Sequence, residues 1–266
     1  MSRAPRPPLH ELQKARLEAY AKAKDSFDAE RLSECTTATG WHIDDYEQEL
    51  PGEAPGPPEP QGPFRAAQQV LRNYSFPPPG LITGIFEPDT PLEQRVMVLR
   101  GRFLFFTFWF GVRVSGVIDE VRTTPDGLEE AVWGYNYRTL EGHFEQGQIE
   151  FTVHKQLGTG RVIMKIHSVS KTGHIANPFY RLGFRLFGRM LQRRFAQGSL
   201  ARTREQVEVM VRLGNVMPPP SETPVQPVSR EELPGGVAEQ VTKHVEQSQQ
   251  DEKARLQTSS DPHAKG

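Results

Sequence analysis

The sequence predicts an α+β protein in which a run of antiparallel strands is closed by one long helix. Three observations predict it. From Leu81 to Ser170 the apolar residues are mostly β-branched and aromatic and come in short runs, the composition of strands. Between these runs stand Thr124-Pro125-Asp126-Gly127 and Leu157-Gly158-Thr159-Gly160, two hairpin signals, and successive hairpins build an antiparallel sheet. Asn177 and Pro178 then open a helical stretch, with Asn as cap and Pro in the first turn, that runs to about Leu213 before Gly214 and Pro218-Pro219-Pro220 stop it.

Taken in order, residues 9–34 are rich in Ala, Lys and Glu with sparse apolar groups, which predicts one charged surface helix. Residues 50–63 form a proline-rich loop, and Pro63 starts a short helix that ends by Tyr74. The strand runs are 81–87, 95–110, 112–124, 128–140, 148–156 and 161–170. The tail after Gly214 is polar and rich in Pro, Ser, Gln and Glu, too poor in apolar groups to offset ordering entropy, and is expected to be disordered. The expected organisation is an N-terminal extension (1–35), a compact domain (36–213) and a polar tail (214–266). The first twenty residues lack the apolar core of a signal peptide, and Cys35 is the only cysteine, so a reducing cytoplasm is the expected compartment.

Phe103 to Val112 is the most apolar stretch. Phe103, Leu104, Phe105, Phe106, Phe108, Trp109, Phe110 and Val112 are bulky and apolar; only Thr107 and Gly111 interrupt them. A membrane-spanning helix needs about 20 such residues, and this run is flanked by Arg102 and Arg113. It reads as a strand apolar on both faces, with Phe103, Phe105, Thr107 and Trp109 on one side. One face is then ordinary core or the wall of a ligand cavity, and the other is covered by another segment, the N-terminal part being the candidate, or by a partner.

The pattern from Trp133 to Lys155, with Tyr135, Tyr137, Thr139, Leu140, Gly142, His143, Glu145, Gly147, Phe151 and Val153, followed by Ile166–Lys171 and the stretch 177–202, resembles uncharacterised-protein family 0548, a family of unknown function. The resemblance covers residues 36–210. It implies the START-like, birch-pollen-allergen-like helix-grip fold: a curved antiparallel sheet wrapped around a long C-terminal helix. Proteins of that superfamily hold lipids or other apolar ligands between sheet and helix, and some are enzymes. Fold alone does not assign function.

Within that frame, Phe103, Phe105, Trp109, Tyr135, Tyr137, Leu186 and Met190 are the expected ligand-contacting residues. His143 and Glu145 are the candidate acid/base pair; the alternative is that they bond backbone groups of their own turn. Seven Arg and no Asp, Glu or Lys lie between Phe179 and Arg204. Arg181, Arg185, Arg189 and Arg193 recur every fourth residue, a ridge that either pairs with acidic groups of the sheet or contacts an anionic membrane surface. Leu182, Leu186, Phe187, Met190, Leu191 and Phe195 form the opposing stripe. His154, His167 and His174 lack metal-ligand spacing, and no phosphate-binding loop appears, so no metal or cofactor is expected. The chain is near neutral overall, with net charge -1, which gives no reason to expect nucleic acid. The leading reading is a non-enzymatic binder of an apolar or amphipathic small molecule. An enzyme of the same fold using His143 and Glu145, and an interaction module with a filled core, are the alternatives.

Overall fold

The computed structural model describes residues 7–103, 106–173 and 178–214, with the side chains of Phe103, Phe106 and 178–187 left aside. The sequence-based expectation for the tail falls outside these residues. The elements are α1 (Leu9–Leu12), α2 (Lys14–Ala21), β1 (His42–Glu49), α3 (Pro63–Arg72), β2 (Ile82–Ile85), β3 (Val96–Phe103), β4 (Phe106–Thr123), β5 (Glu129–Thr139), β6 (Glu145–Gln156), β7 (Val162–Thr172) and α4 (Pro178–Arg212). The seven strands form one curved antiparallel sheet in the order β1-β7-β6-β5-β4-β3-β2, with α4 as the expected long closing helix.

The predicted turns join the predicted strands. Gly127 (φ 83°) and Gly160 (φ 76°) sit left-handed between β4 and β5 and between β6 and β7, a conformation that costs glycine no steric penalty. The resulting register places His154 opposite Ile163 and His167 opposite Glu150. Pro63 begins α3 as expected, and Asn73 closes it.

Two expectations change. The charged segment 9–34 is not one helix. Leu17 and Tyr20 of α2 pack on Ile85, Val98 and Trp109. Beyond Ala21 the chain turns to the sheet: Ser26 donates its backbone N–H to the Thr139 carbonyl (2.9 Å), and Arg113 binds Asp25 and the Ala23 carbonyl. These long-range bonds outweigh helix propensity, which is only tenths of a kcal/mol per residue.

The apolar run is not one strand either. β3 ends at Phe103, β4 begins at Phe106, and these two residues face each other as register partners. Alternation therefore restarts at Phe106. Phe110 packs against the main core, whereas Trp109 lies on the opposite face beneath Tyr20 and Arg16. That face is covered by the N-terminal segment, as its apolar character requires.

In addition, β1 is a strand in an acidic segment to which the sequence reading assigns no element. Its charges are matched by neighbours: Asp45 meets His167 (2.8 Å), and Asp44 meets Arg189.

The main core lies between the sheet and the pair α3 and α4. Trp133, Tyr135 and Phe151 on the sheet, Phe64, Val70, Leu71 and Phe76 in and after α3, and Ala196, Leu200, Val207 and Met210 on α4 are all buried there. Among the described residues no helix is long and apolar enough to cross a membrane.

Candidate functional site

The turn between β5 and β6 organises one end of the sheet's inner face. Thr139 clamps it: its Oγ1 accepts from the Gly147 N–H (2.9 Å) and donates to the Gly147 carbonyl (3.2 Å). Gly147 is obligatory there, because a Cβ would lie 2.1 Å from the Val169 carbonyl oxygen. Within the turn, His143 Nδ1 accepts from the Glu145 backbone N–H (2.9 Å). The imidazole lies 4.5 Å from the Phe110 ring. Burial among these groups pushes its pKa down to about 4, so it is neutral at physiological pH.

The bond joining the two candidate residues is thus a backbone bond. The Glu145 carboxyl points elsewhere, accepting from Gln192 Nε2 of α4. Burial raises its pKa to about 7, against the opposing pull of Arg189 and Gln192. Gln192 Nε2 also reaches Ser170 Oγ (3.4 Å), and its Oε1 accepts from Arg189 (2.7 Å). Arg189 in turn forks onto both Asp44 oxygens at 2.7 Å each. The hydrogen bonds from Arg189 hold the Asp44 carboxyl below its usual range. A continuous polar chain, Asp44–Arg189–Gln192–Glu145, therefore ties the edge strand β1 to β6 through α4.

Helical spacing explains the placement. Arg189, Gln192, Ala196, Ser199, Thr203, Val207 and Met210 recur at three- or four-residue steps and form the sheet-facing stripe. From Ala196 onward it is buried, and at Gln192 and Arg189 it turns polar and partly accessible. The inner sheet face changes in step. Tyr135 and Tyr137 are sealed; Tyr135 donates to the Leu71 carbonyl (3.0 Å), and the Tyr137 hydroxyl meets that of Tyr74 at 3.4 Å. Towards the polar chain, Tyr46, Phe110, Ile149 and Phe195 pack on the core but stay partly accessible.

The expected residues are thus divided. His143, Glu145, Tyr137 and Arg189 converge at this end. Tyr135 is core. Trp109 is on the outer face, and Met190 is 36% exposed rather than turned to the sheet. Arg189 is taken up by Asp44, and Arg193 is exposed. Phe105 and the side chains of Phe103, Arg181, Arg185 and Leu186 lie outside the described residues. Sequence reading missed Asp44 and Gln192, whose only signal is that Gln192 stands three residues after Arg189 on the stripe that leads to Ala196.

A separate surface cavity of about 430 Å³ lies on the other side of the sheet, lined by Phe27, Arg31, Cys35, Trp41, Gln146 and Lys171 among others. Burial raises the Cys35 thiol pKa, and the thiol donates to the Arg31 carbonyl (3.4 Å).

The family described as Domain of unknown function (DUF1990) matches residues 26–202. No curated protein matches the sequence. Among solved structures, Ara h 8.0201 is similar at 13% identity and TM-score 0.38, covering 64% of this chain and 99% of that one. A norcoclaurine synthase point mutant from Thalictrum flavum, in complex with a transition state analogue, is similar at 12% identity and TM-score 0.40, covering 65% and 95%. The di-domain ARO/CYC StfQ from the steffimycin biosynthetic pathway is similar at 14% identity and TM-score 0.39, covering 70% and 56%.

Proposed function

Since the chain belongs to the DUF1990 family, a domain of unknown function, its activity has to come from its own residues, and we propose that it binds an apolar or amphipathic small molecule between the sheet and the N-terminal half of α4, without chemistry. One observation carries this reading. Tyr46, Phe110, Ile149 and Phe195 are among the apolar residues of the core face that remain partly accessible, and Gln192 of α4 joins Glu145 and Ser170 across that face. An apolar wall with a few convergent polar groups is the usual make-up of a small-molecule site. The finer resemblance to uncharacterised-protein family 0548, carried by the turn from Thr139 to Gly147, belongs to the same proposal.

Native mass spectrometry of the full-length protein mixed with straight-chain C12 compounds tests it. A discrete added mass is expected, with micromolar dissociation constants, about -8 kcal/mol. Ile149→Trp, which adds bulk to this wall, should abolish the adduct. Trp109→Ala, on the far face, should leave it intact while lowering stability by about 3 kcal/mol, the usual cost of truncating a packed aromatic. An unmodified chain in every mixture would leave the filled-core reading standing.

A second reading has one observation in its favour. Glu145 is poised near pH 7, the range in which a carboxyl is most effective as a general acid or base. An enzyme of this fold would use Glu145, with His143 positioning the turn.

A further inference from the structure

The surface cavity on the outer side of the sheet is built from other residues than the inner face. Its floor is apolar: Phe27 and Cys35 are buried, and the Phe27 and Trp41 rings meet edge to face at 5.5 Å. Its wall is the chain from Asp28 to Trp41, fixed by local bonds. Asp28 caps the 3₁₀ turn Ala29–Glu34 by accepting from the Glu30 N–H (3.0 Å). Thr36 and Thr39 cap each other around the next turn, and Thr39 Oγ1 donates to the Glu34 carbonyl (2.8 Å). Gly40, left-handed at φ 82°, leads into Trp41, which is half-buried and lines the cavity. The volume of about 430 Å³ falls in the usual range of small-molecule sites.

Lys171 and Gln146, which also line it, are register partners on β7 and β6. Residues directly opposed on one sheet face have Cβ atoms about 5 Å apart. The Lys171 ammonium donates one bond to the Thr39 carbonyl (3.1 Å) and lies 5.9 Å from the centre of the Trp41 ring. An ammonium has three donors. Among the described residues Lys171 has no carboxylate partner, and the Gln146 side-chain amide has no hydrogen-bond partner. Arg31, the other cation of the lining, is committed: its Nε and Nη2 both donate to Glu34 Oε2 (3.0 and 2.7 Å), and Asp28 adds a second negative charge near it. We propose that this cavity binds a small planar aromatic carboxylate, with its ring on Trp41 and Phe27 and its carboxylate on the Lys171 ammonium and the Gln146 amide. The opposite charge fits poorly, because a cation over Trp41 would meet Lys171. An uncharged arene would leave both donors without an acceptor, whereas a carboxylate offers one oxygen to each. The site is independent of the ligand reading for the inner face.

The test compares 2-naphthoate, its saturated analogue decahydro-2-naphthoate and 2-naphthylmethylammonium on the full-length protein by equilibrium dialysis at pH 7. 2-Naphthoate should bind with a dissociation constant below about 1 mM. The saturated acid should bind about threefold more weakly, for want of a ring to meet Trp41, and the ammonium more weakly still. Lys171→Met should weaken 2-naphthoate about tenfold, the usual effect of losing a hydrogen bond to a charged group, and Lys171→Arg should restore most of it. Gln146→Leu, which leaves the Thr39 contact intact, should weaken it about threefold and serves if Lys171→Met does not fold. Trp41→Leu should bring 2-naphthoate level with the saturated acid. Ile149→Trp, on the inner face, should leave all three unchanged, so that failure here and failure of the inner-face reading are told apart. The inference is overturned if the ammonium or the saturated acid binds wild type as tightly as 2-naphthoate, or if 2-naphthoate binds the Lys171, Gln146 and Trp41 variants as it binds wild type. It is also overturned if Ile149→Trp abolishes 2-naphthoate binding, or if none of the three probes binds.

Discussion

Lys155→Ala is expected to destabilise the protein by about 3–5 kcal/mol, read as a lower urea midpoint at unchanged slope. Lys155 stands on β6, and its side chain and that of Glu53 are both 0% exposed. The ammonium donates to Glu53 Oε2 (2.7 Å) and to the Pro57 carbonyl (2.9 Å). Glu53 also accepts from the Phe64 N–H at 2.6 Å and the Glu59 N–H at 3.0 Å. It therefore caps α3 from outside the helix, because the N-cap residue Gly62 has no side chain to do so. A Cβ at Gly62 would lie 2.5 Å from Glu53 Oε1, so this cap requires glycine there. Removing the ammonium leaves a carboxylate buried without its counter-charge, and that penalty, rather than the net worth of the pair, sets the size of the loss. Lys155→Met combined with Glu53→Gln keeps an acceptor for Phe64 and leaves no charge behind. The double variant should be more stable than Lys155→Ala; if it is less stable, the account of the loss is wrong.

The second large effect is a pair of opposed pH dependences. The Glu145 pKa rises from 4.5 to about 7 on folding, so the folded state holds a proton that the unfolded chain releases. Its contribution to stability is full below pH 4.5 and is lost as pH rises to 7. The His143 pKa falls from 6.5 to about 4, so the unfolded chain binds the extra proton, and stability rises with pH from 4 to 6.5. Each amounts to about 3 kcal/mol across its window. In the wild type the two slopes oppose each other between pH 4.5 and 6.5 and largely cancel. His143→Gln should expose the Glu145 slope, with stability falling as pH rises towards 7. Glu145→Gln should expose the His143 slope, with stability rising from pH 4 to 6.5. Urea midpoints at half-unit pH intervals read both. Parallel curves for the three proteins would show that neither group is held as described.

Much of the fold is local chemistry and could be read along the chain. The glycines at 127 and 160, the proline at 63 and the stop at Gly214 each act through φ or a missing N–H within a few residues. They delimit the end of β4, the β6–β7 hairpin, the start of α3 and the end of α4 as expected, whereas β4 begins at Phe106 and runs through Gly111, where the sequence reading places a break. The turn holding His143, Glu145 and Gly147 was legible for the same reason. The break in the apolar run was not, because no Gly, Pro, Asn or Asp marks it and alternation gives no warning that it restarts at Phe106.

The sequence by itself determined which of the apolar stretches extend, where most hairpins turn and where the closing helix begins and ends, because those depend on steric preferences of neighbouring residues. The tertiary structure decided which apolar residues line the inner face, that Trp109 belongs to the outer one, and that acidic β1 is an edge strand. It also decided the charge of the site. Arg189 finds Asp44 145 residues away, and Lys155 finds Glu53 at a separation of 102. A charge's role follows from its desolvation and its partner, and both exist only once distant segments are packed together.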